Sequence, residues 1–508
     1  MLLKEGTTCW RAEPADRAAV FIDVEDYFAA VKSSISKARR SVHVLAWAFN
    51  PKTLLDPQPD CADEEHLAAF LRDVARKRPE LDVRLLVWKA ALPIAATQQF
   101  YPQRAGKDFD GSTVVFKLDG KLPFGASHHQ KVVVVDDAVA FCGGCDFGPD
   151  RWDTCDHCDE NLRRAPTPGA EPCFDARHEV MSLVDGNAAK ALGELFRDRW
   201  LRATGESLAA PTAPARGDPW PHKLPAQFRQ IRVGLSRSSA AWQGLPRIRE
   251  NETLYLASIA AAKSCIYLEN QYFTSPLFTE ALAARLAEPD GPEVVLISTR
   301  HAPSWFDHLT MDRARGTMIW RLRAADVFGR FRAYCPVTSG GETIIVHSKV
   351  TVIDDRIARV GSANLNNRSG GFDTECELGV ECDDAPARLQ IAAFRDRLVG
   401  HFMAQTGDAV AKARAEFGGL GPAIDALNRD GRLRPIEPPA STAVGEFVTR
   451  HHLGDPQDTQ DSWRPWRRRD RLYAEAHRLT DALKEDARTV RRRLRNPSPG
   501  AGDRTPRG

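Results

Sequence analysis

The sequence has no long apolar segment and no even set of cysteines. No stretch of its 508 residues approaches 18 consecutive uncharged apolar residues, the length that a membrane-spanning helix needs. The first 23 residues carry charges where a signal peptide has an uninterrupted apolar core. We therefore expect a cytoplasmic protein; export by a route without a signal peptide is compatible with the sequence.

The cysteines argue against a disulfide framework. They number 11 and are scattered along the chain, which favours a reducing compartment. Two Cys-x-x-Cys pairs begin at Cys142 and Cys155, with His157 and Cys173 nearby. A zinc site is one interpretation, but the separation of the pairs fits no common zinc spacing, and we favour small buried apolar side chains.

Positive charge is concentrated at the C-terminus. Residues 463–508 contain 14 basic and 6 acidic side chains, a net of +8, whereas residues 1–462 carry −6 of the chain's total of +2. Residues 471–496 have apolar side chains at helical spacing and end in an arginine cluster, which predicts a basic amphipathic helix. We favour docking of this helix on the body of the protein; contact with anionic lipid or nucleic acid is the alternative.

One sequence motif occurs twice. Residues 129–144 read HQKVVVVDDAVAFCGG and residues 347–362 read HSKVTVIDDRIARVGS, with eight of 16 positions identical. The β-branched run followed by two aspartates predicts a buried strand that closes in a turn. Further stretches also match, among them SISKARRSVHVLAWAF with SIAAAKSCIYLENQYF and ELFRDRWL with AAFRDRLV.

The repeat predicts the domain organisation. We expect two related halves, residues 1–205 and 225–405, joined by a Pro-rich connector at 206–224 and followed by an extension at 406–508. The predicted fold class is α/β, with two pseudo-symmetric halves, each a mixed β-sheet flanked by helices, packed around one shared active-site cleft.

The polar positions are the shared part of the repeat. The His, Lys and Asp match, while Val133 aligns with Thr351 and Phe141 with Arg359. On a strand, His129 and Lys131 point to the same face. This pattern favours two half-sites that meet in one cleft.

These motifs resemble the phospholipase D superfamily, whose hallmark is H-x-K-x4-D followed by a Gly-Ser or Gly-Gly turn. His129, Lys131 and Asp136 fit it once, and His347, Lys349 and Asp354 fit it again. The stretches HHQK, GGCDFGPDRWDT, IYLENQYF, VHSK and GSANLNNRS are similar to the eukaryotic-type branch. The resemblance covers about residues 18–405, so the chain looks close to a bare catalytic core.

The resemblance implies a two-step reaction through a phosphohistidine. His129 would attack phosphorus as a neutral imidazole, and protonated His347 would donate to the leaving alcohol. Lys131 and Lys349 would stabilise the charge on the phosphoryl oxygens. This chemistry implies no metal and no cofactor.

Each histidine also needs a carboxylate on its other ring nitrogen. By resemblance these are Glu179 and Glu375, and we expect each to pair with the histidine of its own half, Glu179 with His129 and Glu375 with His347. The remaining expectations follow the family pattern: substrate binding by Ser362, Asn364 and Asn366, structural roles for Asp136, Asp354, Gly143 and Asp146, and a supporting role for His128.

The predicted function is hydrolysis of the distal phosphodiester of glycerophospholipids to phosphatidic acid, with transfer to alcohols. A phosphatidyltransferase of the cardiolipin synthase type is an alternative that the missing membrane segments disfavour. A nuclease is a second alternative; the basic tail favours it and the acidic body does not. We expect a glycerophospholipid partner at a membrane surface, no nucleic acid and a monomer. A scaffold without activity fits least, because both His and Lys pairs are present.

Overall fold

The computed structural model describes residues 1–58, 66–90, 101–164, 174–211, 217–302 and 308–437, together with 447, 450–452 and 454–457. Within them the longer helices are α1 (Val24–Lys37), α2 (Leu67–Lys77), α3 (Gly186–Thr204), α4 (Glu250–Ala261), α5 (Pro276–Leu286), α6 (Arg313–Ala325), α7 (Ala385–Phe402), α8 (Gly407–Phe417) and α9 (Leu420–Leu427). Short helical turns lie at Tyr101–Arg104, Ala105–Phe109, Pro149–Arg151, Leu162–Arg164 and His308–Asp312. None of the described helices is long and apolar enough to cross a membrane.

The strands of the first half, in chain order, are β1 (Arg11–Ile22), β2 (Ser41–Ala46), β3 (Asp82–Trp88), β4 (Val115–Asp119), β5 (Val132–Val135), β6 (Val139–Gly143), β7 (Arg177–His178) and β8 (Val180–Asp185). Those that follow are β9 (Phe228–Ser239), β10 (Ile248–Arg249), β11 (Cys265–Asn270), β12 (Glu293–Ile297), β13 (Phe331–Pro336), β14 (Ile345–Val346), β15 (Lys349–Ile353), β16 (Ile357–Gly361), β17 (Glu375–Glu381) and β18 (Leu433–Pro435).

Most strands form one mixed sheet with an internal symmetry. Outward from the centre, the first half runs β1, β8, β6, β5, β2, β3, β4, and the second runs β9, β17, β16, β15, β11, β12, β13. The halves join where β1 pairs antiparallel with β9, and β17 pairs with the other edge of β9. Each half thus has its own mixed sheet in the same strand order, and together they form one continuous sheet.

Helices cover both faces of this sheet through their apolar sides. In α1 the buried side chains include Val24, Tyr27, Phe28, Val31 and Ile35, spaced so that they share one helix face. A central apolar cluster contains side chains from both halves, such as Val134 and Val184 with Val352 and Leu378. The two halves therefore share one core.

The repeated aspartates hold the hairpin turns. Asp136 and Asp354 lie just after β5 and β15 with φ of 58° and 54°, a left-handed conformation that Asp tolerates better than most residues. The Asp136 carboxylate accepts backbone N–H groups of Arg39, Arg40 and Ser41, at 2.6–3.1 Å. Asp354 likewise accepts those of residues 263–265 at 2.6–2.9 Å. Each aspartate thereby ties the motif hairpin to the loop that precedes the neighbouring strand.

Each motif ends in a two-residue turn, Gly143-Gly144 in the first half and Gly361-Ser362 in the second, and its first position accepts only glycine. A Cβ on Gly143 would lie 2.3 Å from Met181 Sδ and 2.7 Å from the carbonyl oxygen of Val180. A Cβ on Gly361 would lie 2.5 Å from Glu377 Cα. Close contact with the adjacent strand explains this glycine in both copies.

The extension after residue 405 begins with ordered structure. Helices α8 and α9 are followed by β18, which pairs antiparallel with β13 at the edge of the sheet. The chain separates into a unit at residues 1–459 and another at 460–508. The predicted basic helix at 471–496 lies outside the described residues.

The cysteine pairs do not gather into a metal site. Cys142 and Cys145 are buried near the end of β6, and Cys155 and Cys158 are exposed. Among the described residues, the one group able to hold a metal ion contains no cysteine. Cys173 lies outside the described residues.

Candidate active site

The two motifs meet because each enters its strand beside the other half. The N–H of His129 donates to the carbonyl of Thr374 at 3.0 Å, and the N–H of His347 donates to the carbonyl of His178 at 2.9 Å. Next to these contacts, β14 pairs in parallel with β7, and His128 forms a parallel bridge with Thr374. Each motif histidine therefore lies against the carboxylate-bearing segment of the opposite half.

This crossing corrects the predicted pairing of histidines and carboxylates. His129 Nδ1 lies 2.9 Å from Glu375 Oε2, and His347 Nδ1 lies 2.8 Å from Glu179 Oε1. The assignment within each half is wrong, because the residues that precede Glu179 and Glu375 pair with the partner motif. Both carboxylates are fully buried, whereas the His129 and His347 side chains keep 16% and 11% exposure. Since Nδ1 faces the glutamate, Nε2 is the nitrogen left for a substrate.

Glu375 is held by hydroxyl groups. Ser362 Oγ donates to Glu375 Oε2 at 2.5 Å, and Ser369 Oγ donates to Oε1 at 2.6 Å. Ser362 is fully buried and also accepts the N–H of Cys376. The expectation that Ser362 binds substrate is therefore wrong in this structure, because its hydroxyl positions the carboxylate.

The first half has glycine where the second half has Ser362. A Cβ on Gly144 would lie 3.1 Å from the carbonyl oxygen of His347 and 3.2 Å from Glu179 Oε2. Arg151 supplies a charged partner instead, with Nη1 3.4 Å from Glu179 Oε1. Sequence reasoning gave Arg151 no role, although it lies in the GPDRWDT stretch that carried the resemblance.

The lysines occupy matching positions with unequal partners. Each Nζ donates to the carbonyl of its own motif histidine, His129 for Lys131 and His347 for Lys349. Lys131 Nζ also lies 3.4 Å from Asp146 Oδ2, whereas no described carboxylate lies within ion-pair distance of Lys349. Burial lowers the pKa of Lys349 to about 7, and the charge of Lys131 acts in the same direction.

Asp146 contacts both the backbone after β2 and the lysine of the first motif. Its Oδ1 accepts the N–H groups of Trp47 and Ala48 at 2.9 and 3.1 Å. The Trp47 ring lies 5.8 Å from Lys131 Nζ and 6.3 Å from the His129 ring, so it forms part of the wall beside the first motif.

Burial favours the neutral form of both histidines. It lowers the pKa of His129 well below the ordinary value, with a further contribution from Lys131 and Lys349. The pKa of His347 is also well below its ordinary value because of burial, and Lys349 and Arg151 reinforce the shift. Burial raises the pKa of Glu375 well above its ordinary value, and Asp373 adds to this. Either imidazole can therefore serve as a neutral nucleophile, and the geometry does not rank them.

The two asparagines lie in the turn after β16. Asn366 Oδ1 accepts the N–H of Ser369 at 2.9 Å. The N–H of Asn364 donates to Ser369 Oγ, while its side-chain oxygen has no hydrogen-bond partner among the described residues. Substrate binding by these two side chains stays a prediction.

His128 lies outside the site. It is fully buried, and its Nδ1 is 3.2 Å from Asp119 Oδ2, whose carboxylate also binds Arg199. Its side chain supports the packing behind the motif strand and does not compete with His129 for substrate.

The second half of the chain matches a known domain model. Residues 255–398 match the model described as "Cardiolipin synthase, PLD-like domain". The chain is 28% identical over 438 residues to "Phospholipase D A" of Dictyostelium discoideum, covering 73% of this chain and 33% of that protein. It is 23% identical over 470 residues to "Phospholipase D2" of Bos taurus, covering 73% of this chain and 50% of that protein.

A solved structure shows the same fold. The chain superposes on phosphatidylserine synthase of Haemophilus influenzae Rd KW20 with a TM-score of 0.54 and 14% identity, covering 82% of this chain and 96% of that one. The domain match and the relatives named phospholipase D, together with the duplicated motif, support the phospholipase D superfamily for this chain. It spans between 33% and 62% of the length of the first four curated relatives.

The crossed pairing makes a prediction for the ring nitrogens. In protein labelled with 15N-histidine, Glu375→Gln should move the Nδ1 resonance of His129 and leave that of His347 in place, because only His129 loses its carboxylate. Glu179→Gln should do the reverse. His129→Asn and His347→Asn identify the signals.

Glu377→Gln serves as the matched control for this experiment. Glu377 lies on the same strand as Glu375, is buried, and contacts Arg359 and Tyr255 instead of a motif histidine. It should leave both resonances unchanged. A shift of His129 with Glu179→Gln, and of His347 with Glu375→Gln, would restore the pairing within each half.

Proposed function

We propose that this chain is a phospholipase D that cleaves the distal phosphodiester of glycerophospholipids and transfers the phosphatidyl group to water or an alcohol. The observation that carries the proposal is the convergence of two His-x-Lys motifs, each completed by a buried glutamate of the other half. The relatives named phospholipase D support the lipid substrate.

The reaction needs a neutral nucleophile and a separate proton donor. We assign attack on phosphorus to Nε2 of His129, which forms a phosphorus–nitrogen bond as the head-group oxygen leaves. His347, protonated once the bound anionic phosphodiester favours its imidazolium form, donates a proton to that oxygen and then removes one from the incoming water or alcohol. The second attack forms a new phosphorus–oxygen bond and releases His129. The assignment of the two roles follows the family resemblance.

The lysines supply fixed positive charge for the phosphoryl oxygens. Lys131 is partly neutralised by Asp146, whereas Lys349 has no described carboxylate at ion-pair distance. An anionic phosphodiester beside Lys349 raises the lysine pKa from about 7, because the opposite charge favours the cation. Substrate binding and protonation of Lys349 are therefore coupled.

A phosphatidyltransferase of the cardiolipin synthase type is the second candidate. It is favoured by the domain match over residues 255–398 and by 26% identity over 259 residues to "Cardiolipin synthase" of Halalkalibacterium halodurans, which covers 49% of this chain. The same covalent intermediate serves both reactions, and the acceptor distinguishes them.

An alcohol should intercept the intermediate. With phosphatidylcholine and a primary alcohol, part of the product should change from phosphatidic acid to a phosphatidyl-alcohol, which mass spectrometry of the lipids resolves. The double variant His129→Ala/His347→Ala, purified in the same way, provides the background. Absence of the adduct at high alcohol concentration would contradict a covalent intermediate open to solvent.

Parallel incubations with phosphatidylethanolamine, cardiolipin and single-stranded DNA identify the substrate class. Release of nucleotide products without any lipid product would replace this proposal with a nuclease. Formation of cardiolipin from phosphatidylglycerol as the dominant product would favour the transferase.

The pH dependence should report Lys349. Its cation is lost as pH rises through about 7, so kcat/KM on a soluble phosphodiester should fall by roughly tenfold for each pH unit above that value. Lys349→Arg keeps the charge and should move this decline to higher pH, even where the maximal rate is lower. The exposed Lys412→Arg is the control and should leave the profile unchanged. An identical decline in wild type and Lys349→Arg would assign the ionisation to another group.

A further inference from the structure

A second group of ionisable side chains lies beside the active site and takes no part in its chemistry. It consists of Asp23, His157, His178 and His401, and one donor atom from each lies within 4.8 Å of the others. Asp23 lies between β1 and α1, His178 ends β7, and His401 is in the last turn of α7. We call these four residues the histidine cluster.

Each imidazole in the cluster has one ring nitrogen fixed by an acceptor on its outer side. The three contacts are His157 Nδ1 with Asp153 Oδ2 at 2.9 Å, His178 Nε2 with Glu269 Oε2 at 2.9 Å, and His401 Nδ1 with the carbonyl oxygen of Leu398 at 2.6 Å. Metal-binding histidines typically show this arrangement, in which a carboxylate or carbonyl orients the ring and leaves the other nitrogen for the ion.

The other three ring nitrogens face Asp23. His157 Nε2 and His401 Nε2 lie 3.4 and 3.7 Å from Asp23 Oδ2, and His178 Nδ1 lies 2.8 Å from Asp23 Oδ1. Asp23 Oδ2 and the Nε2 atoms of His157 and His401 are buried and have no hydrogen-bond partner among the described residues. Asp23 and His157 are 2% and 1% exposed, so water offers little compensation.

We propose that the histidine cluster binds one divalent transition-metal ion, zinc, through three imidazoles and the Asp23 carboxylate. A tetrahedral zinc ion with bonds of about 2.0–2.1 Å places its donor atoms about 3.3 Å apart. The separations of 3.4 and 3.7 Å around Asp23 Oδ2 are close to that value. Three nitrogen donors suit zinc and disfavour calcium and magnesium, which prefer oxygen.

The site has a positioning role and no contact with substrate. The N–H of Asp23 donates to the carbonyl of Glu179 at 2.8 Å, and the N–H of Glu179 donates to Asp23 Oδ1 at 3.2 Å. The carbonyl of His178 accepts the N–H of His347. An ion at the cluster would fix the segment that carries Glu179 and receives His347. It would also join the halves, because His401 and Glu269 come from the second half. This inference does not depend on the proposed substrate.

Metal content tests the site directly. The full chain, expressed without a polyhistidine tag, should contain about one zinc ion per chain by plasma mass spectrometry. After exchange with cobalt(II), it should show the visible absorption of a four-coordinate ion with nitrogen and oxygen donors. His157→Gln and His401→Gln should each reduce the bound metal several-fold.

His43→Gln is the matched control. His43 is also buried with its Nε2 against a carboxylate, Asp82, but it belongs to no cluster, so its metal content should equal that of the wild type. A positioning role adds a second readout: removing the metal should shift the Nδ1 resonance of His347 and leave that of His129 in place.

Folded wild-type protein that contains no metal and takes up neither zinc nor cobalt would overturn the inference. The cluster would then be a hydrogen-bonded network around charged His178. Burial alone lowers the pKa of His178, but the carboxylates of Asp23 and Glu269 outweigh it and raise the pKa to about 10. Unchanged metal content in both His157→Gln and His401→Gln would also overturn it. If both variants fail to fold, the wild-type cobalt spectrum still decides, since a six-coordinate or oxygen-only spectrum contradicts the site.

Discussion

The structure depends on a constraint that applies to any buried imidazole–carboxylate pair: both partners must be held in place by groups that offset their lost hydration. Here the constraint is met across the pseudo-symmetric halves. His129 approaches Glu375 and His347 approaches Glu179, so each motif histidine takes its carboxylate from the other half. Neither half alone contains a complete motif pair. The continuous sheet, joined where β1 meets β9, keeps the two halves in the register that the pairs require.

The halves differ at the groups that support each pair. Glu375 receives two hydroxyl donors, whereas Glu179 has Arg151 and the close packing of Gly144. Asp146 lies beside Lys131, and the second half has Asn364 in the corresponding turn. These differences give the two lysines unequal electrostatic surroundings within one symmetric scaffold. A site of this kind can assign different tasks to two copies of the same motif without changing the motif itself.

The fold class and the superfamily could be predicted from the sequence because both depend on local sequence patterns. The β-branched runs, the paired aspartates and the repeated His-x-Lys spacing each act within a few residues. The partner of each carboxylate depends on contacts between segments more than 160 positions apart, and no local pattern records them. Ser362 was misread for the same reason, since a hydroxyl in a turn gives no sign that it faces a buried glutamate. The histidine cluster was missed because its members are spread from Asp23 to His401.

We propose that the two half-sites act together on one phosphoryl group through a covalent histidine. Rapid-quench mass spectrometry of the wild-type protein during turnover of a phosphodiester tests it most directly. We expect a phosphorylated adduct on a single motif histidine, His129, that forms and decays at rates compatible with turnover. Measurable turnover with no adduct on His129 or His347 at any time would contradict it.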